Sequence, residues 1–413
     1  MRTDVIVLGA GMVGVSAALH LQQRGRQVVL VDRRPAAEET SYGNAGIIQR
    51  EGVVPYAFPH DFGKILKYAL NRLPEANLHW RAVPWLVPFI HQYWRYGTPE
   101  RIAATARAAR PLVERCIDEH KALMAEAGIG DMLRATGYLK LFRTPERLDR
   151  ELGLDAKAKA AYGVTAEAKT PEQIRALEPH LRGEFAGGLY MPQPASVGDP
   201  GAVGKAYAEL FVKRGGTFVT ADARTLAQTA DGWQVARVEG AITAPAVVVA
   251  LGPWSADIVR PLGVSIPLAV KRGYHMHYKT LGNAVLSRPV IDGENGFVLA
   301  AMTRGIRLTT GAEFALRDSA PTPVQLGRVE PIARGLFPLG DRADAAPWLG
   351  ARPCFPDMLP MIGEVPGRRG LWLDCGHHHL GLTLGPVSGR LLAEAMTGGS
   401  PFADMAPYRV ARF

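Results

Sequence analysis

With 413 residues, 47% of them hydrophobic and 21% charged, the chain is too long for one small domain and has the composition of an ordinary globular protein with a large core. Its net charge of +9 comes from scattered Arg and Lys residues rather than a basic run, which favours a solvated surface that draws carboxylates and diphosphates over a nucleic-acid-binding arm. Three dispersed cysteines, Cys116, Cys354 and Cys375, suit neither a disulfide framework nor a metal site and point to a reducing, cytoplasmic compartment, and no apolar run reaches the roughly 18 residues of a bilayer span.

The first predicted element is DVIVL at 4–8, a β-branched run of the kind buried in a parallel sheet. GAGMVG follows at 9–14, an apolar helical pattern runs from Val13 to Gln23, and RQVVLVD reads as a second strand ending at Asp32. A secretory leader is the competing reading, and the glycine turn inside the apolar run argues against it. Strand, glycine turn, helix, strand and acid is the order of a dinucleotide-binding unit. Gly9 permits the tight turn, Gly11 lets the backbone approach a pyrophosphate, and Gly14 lets helix and strand pack closely. The helix N-terminus favours an anion, and Asp32 would accept hydrogen bonds from a ribose. NAD and FAD both fit these residues.

Next comes TSYGNAG at 40–46, a run of small and polar residues suited to close approach by a flat ring or its ribityl chain. The stretch 78–98 carries Trp80, Trp85 and Trp94 among apolar and basic neighbours, so it reads either as a peripheral membrane contact or as a helix covering a second domain. A helix is predicted over 199–214 and a strand in GGTFVTA after it, while AVVVALG at 246–252 is another buried strand closing on Gly252. Turn and strand signals alternate through 296–313. Near the end, GLWLDCGHHHLGLTLG at 370–385 predicts a strand, a GHHHLG turn and a helix from Thr383 through Met396. That helix would aim its positive end at whatever lies before it, and an isoalloxazine N1–C2=O2 edge, which gathers negative charge on reduction, is a suitable occupant.

In chain order, GAGMVG, TSYGNAG, GYLKLFRT at 137–144, ALGPWS at 250–255, KRGYH at 271–275, ARPCFPDMLPMIG at 351–363 and GHHHLGLTLGPVSGRLLAE at 376–394 span nearly the whole chain. Together they resemble the D-amino-acid dehydrogenase (small subunit) group of the D-amino-acid oxidase, glycine oxidase and sarcosine oxidase superfamily. The resemblance implies an α/β and α+β fold: a discontinuous Rossmann-like FAD domain from 1–46, 190–262 and 345–413, and a mixed-sheet substrate domain from 47–189 and 263–344. It implies non-covalent FAD held by Gly9, Gly11, Met12, Val13, Gly14, Asp32, Arg33, Ser41, Asn44, Ala45, Gly46 and Ile47 in the first segment. Ala250, Gly252 and Trp254 would contribute from the middle, and Gly376, His377, Gly381, Leu382 and Thr383 from the last. Cys354 sits near where some sarcosine oxidases attach FAD, but its spacing to Pro356 and Asp357 is shorter than theirs.

For the substrate, Arg352 matches the arginine that holds the carboxylate in the related oxidases, a role its planar fork suits; a structural ion pair is the alternative. Tyr274 would close the site or bond the same carboxylate, or else pack in the domain interface. His379 is a candidate base or substrate contact, and no metal is expected from three adjacent histidines that point different ways. Tyr138, Tyr274, His379 and the loop 49–60 would shape the pocket. The implied activity is dehydrogenation of a small D-amino acid, of the D-alanine, D-proline or D-hydroxyproline kind, with electrons passing to a quinone or dye-like acceptor. Competing expectations are a glycine or sarcosine oxidase that forms peroxide, a non-catalytic FAD-binding subunit, and an NAD-dependent dehydrogenase.

Overall fold

The opening unit forms the centre of a six-stranded sheet. In the computed structural model, which describes residues 1–413, Val5–Leu8 pairs in parallel with Val28–Asp32 on one side and Ala246–Val249 on the other. Thr217–Thr220 extends the sheet beyond Val28–Asp32, and Leu371–Cys375 extends it beyond Ala246–Val249, with Met361–Glu364 antiparallel at the edge. Near-continuous Val, Ile and Leu in the three central strands, Val5–Leu8, Val28–Asp32 and Ala246–Val249, is what a sheet covered on both faces requires. Met12–Gln23, Pro200–Lys213 and Gly381–Met396 cover one face, and the antiparallel strands Ala227–Thr229, Gly232–Arg237 and Gly240–Ala244 cover the other. The first and last helices approach so closely that a Cβ on Gly389 would lie 2.7 Å from the Ala17 nitrogen.

The second sheet has eleven strands and mixed pairing. Its long strand, Ala269–Thr280, pairs antiparallel with Gly305–Thr309, Ala312–Phe314, Leu339–Arg342 and Trp348–Cys354. Met276 and Tyr278 bury one face of that strand against Leu326, Val329 and Leu336 of the helix Val324–Leu336. Gly187–Met191 and Trp348–Cys354 both belong to this sheet, so strand pairing crosses the expected boundary at 190 by two residues and the one at 345 by a whole strand.

Within 78–98 the helix Val83–Arg95 buries Leu86, Phe89 and Tyr93 while leaving Trp85 and Trp94 exposed, with Trp80 exposed just before it. No helix is long and apolar enough to cross a membrane.

Candidate active site

A cavity of about 1040 Å³ lies between the two sheets. One wall comes from residues that follow the carboxyl ends of the parallel strands: Gly9, Asp32, Ala250 and Gly376. That is where open α/β sheets bind ligands, because the loops of neighbouring strands diverge there. The glycine turn is built as its spacing predicts. Gly9 has a φ of +106°, and a Cβ on it would meet the Ala250 oxygen at 2.5 Å; a Cβ on Gly14 would meet the Gly9 oxygen at 1.8 Å. A Cβ on Gly11 would meet only Ser41 Oγ, at 3.3 Å, so space remains on that side of the backbone.

Asp32 braces this turn, accepting from the Ala10 N–H at 2.7 Å and the Arg34 N–H at 3.1 Å. Ser41 Oγ accepts from the Met12 N–H at 2.9 Å, so the 40–46 segment is fastened to the start of the first helix. Met12, Val13, Gly252 and Trp254 also border the cavity. The Arg33 guanidinium lies over the Trp254 ring, 4.7 Å from its centroid, at the same end as Asp32.

At the other end Asn44, Ala45 and Ile47 face Gly376, His377, Gly381 and Leu382 across the cavity wall. Asn44 joins the two segments: its Oδ1 accepts from the Gly46 N–H at 2.9 Å and its Nδ2 donates to the His379 carbonyl at 3.4 Å. Thr383 Oγ1 accepts from the Gln49 N–H at 3.0 Å. Gly14, Gly46 and Thr383 therefore stand behind the wall and shape it, rather than lining it. His377 Nε2 is 3.0 Å from Ser388 Oγ and 3.3 Å from Asp374 Oδ1, so its ring is held within the protein. His378 adopts a φ of +56°, and its buried Nε2 has no protein partner.

These residues fit FAD. The gap beside Gly11 and the helix N-terminus behind it suit a diphosphate, Asp32 and the Arg33–Trp254 stack suit a nucleoside, and the orphaned His378 Nε2 and the start of Gly381–Met396 suit the polar edge of a flavin ring. The Cys354 thiol is fully enclosed, and burial raises it above the usual range despite the nearby cations Lys271 and Arg352, so it is a poor nucleophile toward a cofactor.

The opposite wall carries Arg352, Tyr274 and His379, the residues expected to meet a substrate. Arg352 projects across Gly273, where a Cβ would meet its Nη2 at 2.5 Å. Its guanidinium donates to backbone oxygens, 2.9 Å to Gly311 and 3.3 Å to Arg272 and Thr310. No carboxylate lies within salt-bridge distance, and burial depresses its affinity for the proton. The structural ion pair weighed as the alternative is therefore absent.

Tyr274 corrects one expectation. It borders the cavity, but its phenol donates to Glu313 Oε2 at 3.0 Å and accepts from the Thr322 N–H at 2.7 Å and from Arg272 Nη2 at 3.2 Å. Strand alternation turns it, with Arg272, away from Lys271 and Gly273. Tyr138 is a second correction: it is buried and donates to Glu51 Oε1 at 3.0 Å instead of shaping the cavity. Desolvation pushes the Glu51 carboxyl up to about 7 despite that bond.

His379 does reach the cavity, with its ring centroid 5.2 Å from that of Tyr56. Burial, then Arg352, then Lys271 lower it to about 3, so at neutral pH it is uncharged and a weak base. It remains a neutral contact at the wall. Lys271 also lines the cavity and was given no role from the sequence; the signal for it was the strand alternation that sets 271 and 273 on the side opposite 272 and 274.

Residues 4–395 match the FAD dependent oxidoreductase family. The chain is 32% identical to a D-amino acid dehydrogenase of Paramagnetospirillum magneticum, covering 99% of this chain and 98% of that one. It is 29% identical to a D-amino-acid oxidase of Bradyrhizobium diazoefficiens at the same coverage. Among solved structures, glycine oxidase from Geobacillus kaustophilus superposes with a TM-score of 0.76 over 100% of this chain and 99% of that one, at 23% identity.

Proposed function

The chain belongs to the FAD dependent oxidoreductase family, and from that premise we propose that it dehydrogenates a D-amino acid held by Arg352. The observation that carries this proposal is the Arg352 guanidinium: fixed by three backbone carbonyls, facing the cavity and lacking a counter-ion. A buried cation without a partner is costly, and a bidentate carboxylate supplies the missing charge. The names of the curated relatives, amino acid dehydrogenase and oxidase, support the same substrate class.

FAD supplies the hydride acceptor when bound. The protein's part is orientation and charge. Arg352 fixes the carboxylate and hence the α-carbon, while the neutral His379 and the unprotonated state favoured by two nearby cations help keep the amine uncharged. As the α-carbon gives up its hydrogen with the bonding pair, the nitrogen lone pair forms the C=N bond. Water then converts the imine to a keto acid and ammonia, and a cyclic imine from a proline-like substrate would persist or open.

The electron acceptor in this proposal is a quinone or dye-like compound rather than oxygen. It is supported by the dehydrogenase relatives and by the surface beside the cavity. Tyr56, Phe62, Leu66, Trp80 and Trp85 are exposed there among Lys64, Lys67 and Arg81, a combination suited to peripheral contact with an anionic membrane. Tyr56, Ile65 and Ile90 continue that surface into the cavity wall.

The test is turnover of D-alanine, D-proline and cis-4-hydroxy-D-proline with a soluble quinone in air. Quinone reduction matched to keto acid or imine, with L-isomers inert, is expected. Hydrogen peroxide formed in proportion to substrate would replace the dehydrogenase with an oxidase.

A further inference from the structure

Lys271 and Arg352 are direct partners across the antiparallel pairing of Ala269–Thr280 with Trp348–Cys354. Residues directly opposite in such a pair project to the same face, and like charges there oppose each other. Both side chains border the cavity. The Lys271 residue is 8% exposed, and its ammonium has no oxygen partner: it lies 3.7 Å from the centroid of the Tyr93 ring and 3.9 Å from Met358 Sδ. An ammonium carries three donors and no acceptor, so all three lack an oxygen. No salt bridge reaches the ammonium: Glu313 is engaged by Arg272 and Asp357 by Arg412, and the cavity-lining Glu75 accepts from the Tyr68 hydroxyl through Oε1. His379, whose ring is lowered first by burial and then by the charges of Arg352 and Lys271, borders the same cavity.

One α-carboxylate neutralises Arg352 and leaves Lys271 as it was. We propose that Lys271 binds a second carboxylate, and that the preferred substrate is an acidic D-amino acid of the aspartate or glutamate kind. This assignment rests on Arg352 holding the α-carboxylate, as argued above. Tyr93 and Met358 then serve as the resting place of an ammonium that swings toward the anion, a cation–π contact being a weaker partner than a charge-assisted hydrogen bond.

The test compares kcat/KM for D-glutamate, D-aspartate, D-alanine and D-proline in the FAD-loaded wild type, Lys271→Met and Lys271→Arg. Alongside, glutarate and butyrate are titrated as unreactive ligands against the flavin spectrum. The wild type should favour D-glutamate or D-aspartate over D-alanine by about tenfold or more, and Lys271→Met should cut that ratio by about tenfold while Lys271→Arg keeps most of it. Glutarate should perturb the flavin at lower concentration than butyrate, and lose that advantage in Lys271→Met. An unchanged ratio in a Lys271→Met protein that still holds FAD and oxidises D-alanine would overturn the second-carboxylate site and leave the D-amino-acid proposal standing. Glutarate selectivity that depends on Lys271, with no amino acid oxidised, would support the site and sink the D-amino-acid proposal instead.

Discussion

The two faces of the strand Ala269–Thr280 treat their cations in opposite ways. On one face Arg272 is fully buried and paired with Glu313 at 2.7 Å, and the Tyr274 phenol, the Thr322 hydroxyl and His79 complete the set. Burial alone would raise the Glu313 carboxyl, but the hydrogen bonds from Thr322 and Arg272 and the charge of Arg272 hold it below its usual value. On the other face Lys271 and its cross-strand partner Arg352 have no acid within salt-bridge distance. The lesson is that burial and charge do not distinguish structural from functional cations here; the presence of a protein counter-ion does.

The largest expected effect breaks the satisfied face. Glu313→Ala leaves the Arg272 charge buried and unpaired, which should cost roughly 3–5 kcal/mol of stability in denaturant unfolding. Arg352→Ala removes a charge that has no protein partner, so its stability should change far less, or rise. Its effect belongs to turnover: kcat/KM should fall by about tenfold or more, on the order of 1.5–3 kcal/mol, with the flavin spectrum intact. A comparable loss of stability in both variants would erase the distinction between the faces.

Per pH unit, the smallest effect concerns protons. His379 is lowered to about 3 in the folded chain against 6.5 as its ordinary value, with burial the leading cause and Arg352 and Lys271 adding to it. Below pH 6.5 the unfolded chain therefore holds a proton that the folded chain lacks, and stability falls as the pH drops toward 3. The slope from this one group is at most about 1.4 kcal/mol per pH unit, and His379→Asn should remove it. A carboxylate ligand on Arg352 should also blunt it, by neutralising one of the charges that depress the ring. Unfolding curves from pH 4 to 7 that keep the same slope in His379→Asn would contradict this account of the open face.

Legibility in the sequence followed the range over which each feature is encoded. The cradle from Gly9 to Asp32 is local: each glycine answers a steric demand within a few residues or one neighbouring strand, and the helix from Gly381 announces itself by periodicity. The place of Arg352 at the cavity was legible through its surrounding motif. The meaning of Lys271 was not, because it depends on the pairing of 271 with 352 in a register no local pattern specifies. Which of its two readings Tyr274 follows was hidden for the same reason: two-residue alternation puts it with Arg272, and its partner Glu313 comes from another strand. Tyr138 was drawn inward by Glu51, a carboxyl from the loop expected to line the pocket with it.

The most direct test of the central claim is the visible spectrum of the purified protein, kept anaerobic while D-amino acids and their L-isomers are added in turn. Bleaching of a flavin band by D-isomers alone, abolished or slowed by about tenfold or more in Arg352→Ala, is the predicted result. A flavin band that no amino acid bleaches, or bleaching that proceeds equally well without Arg352, would contradict it.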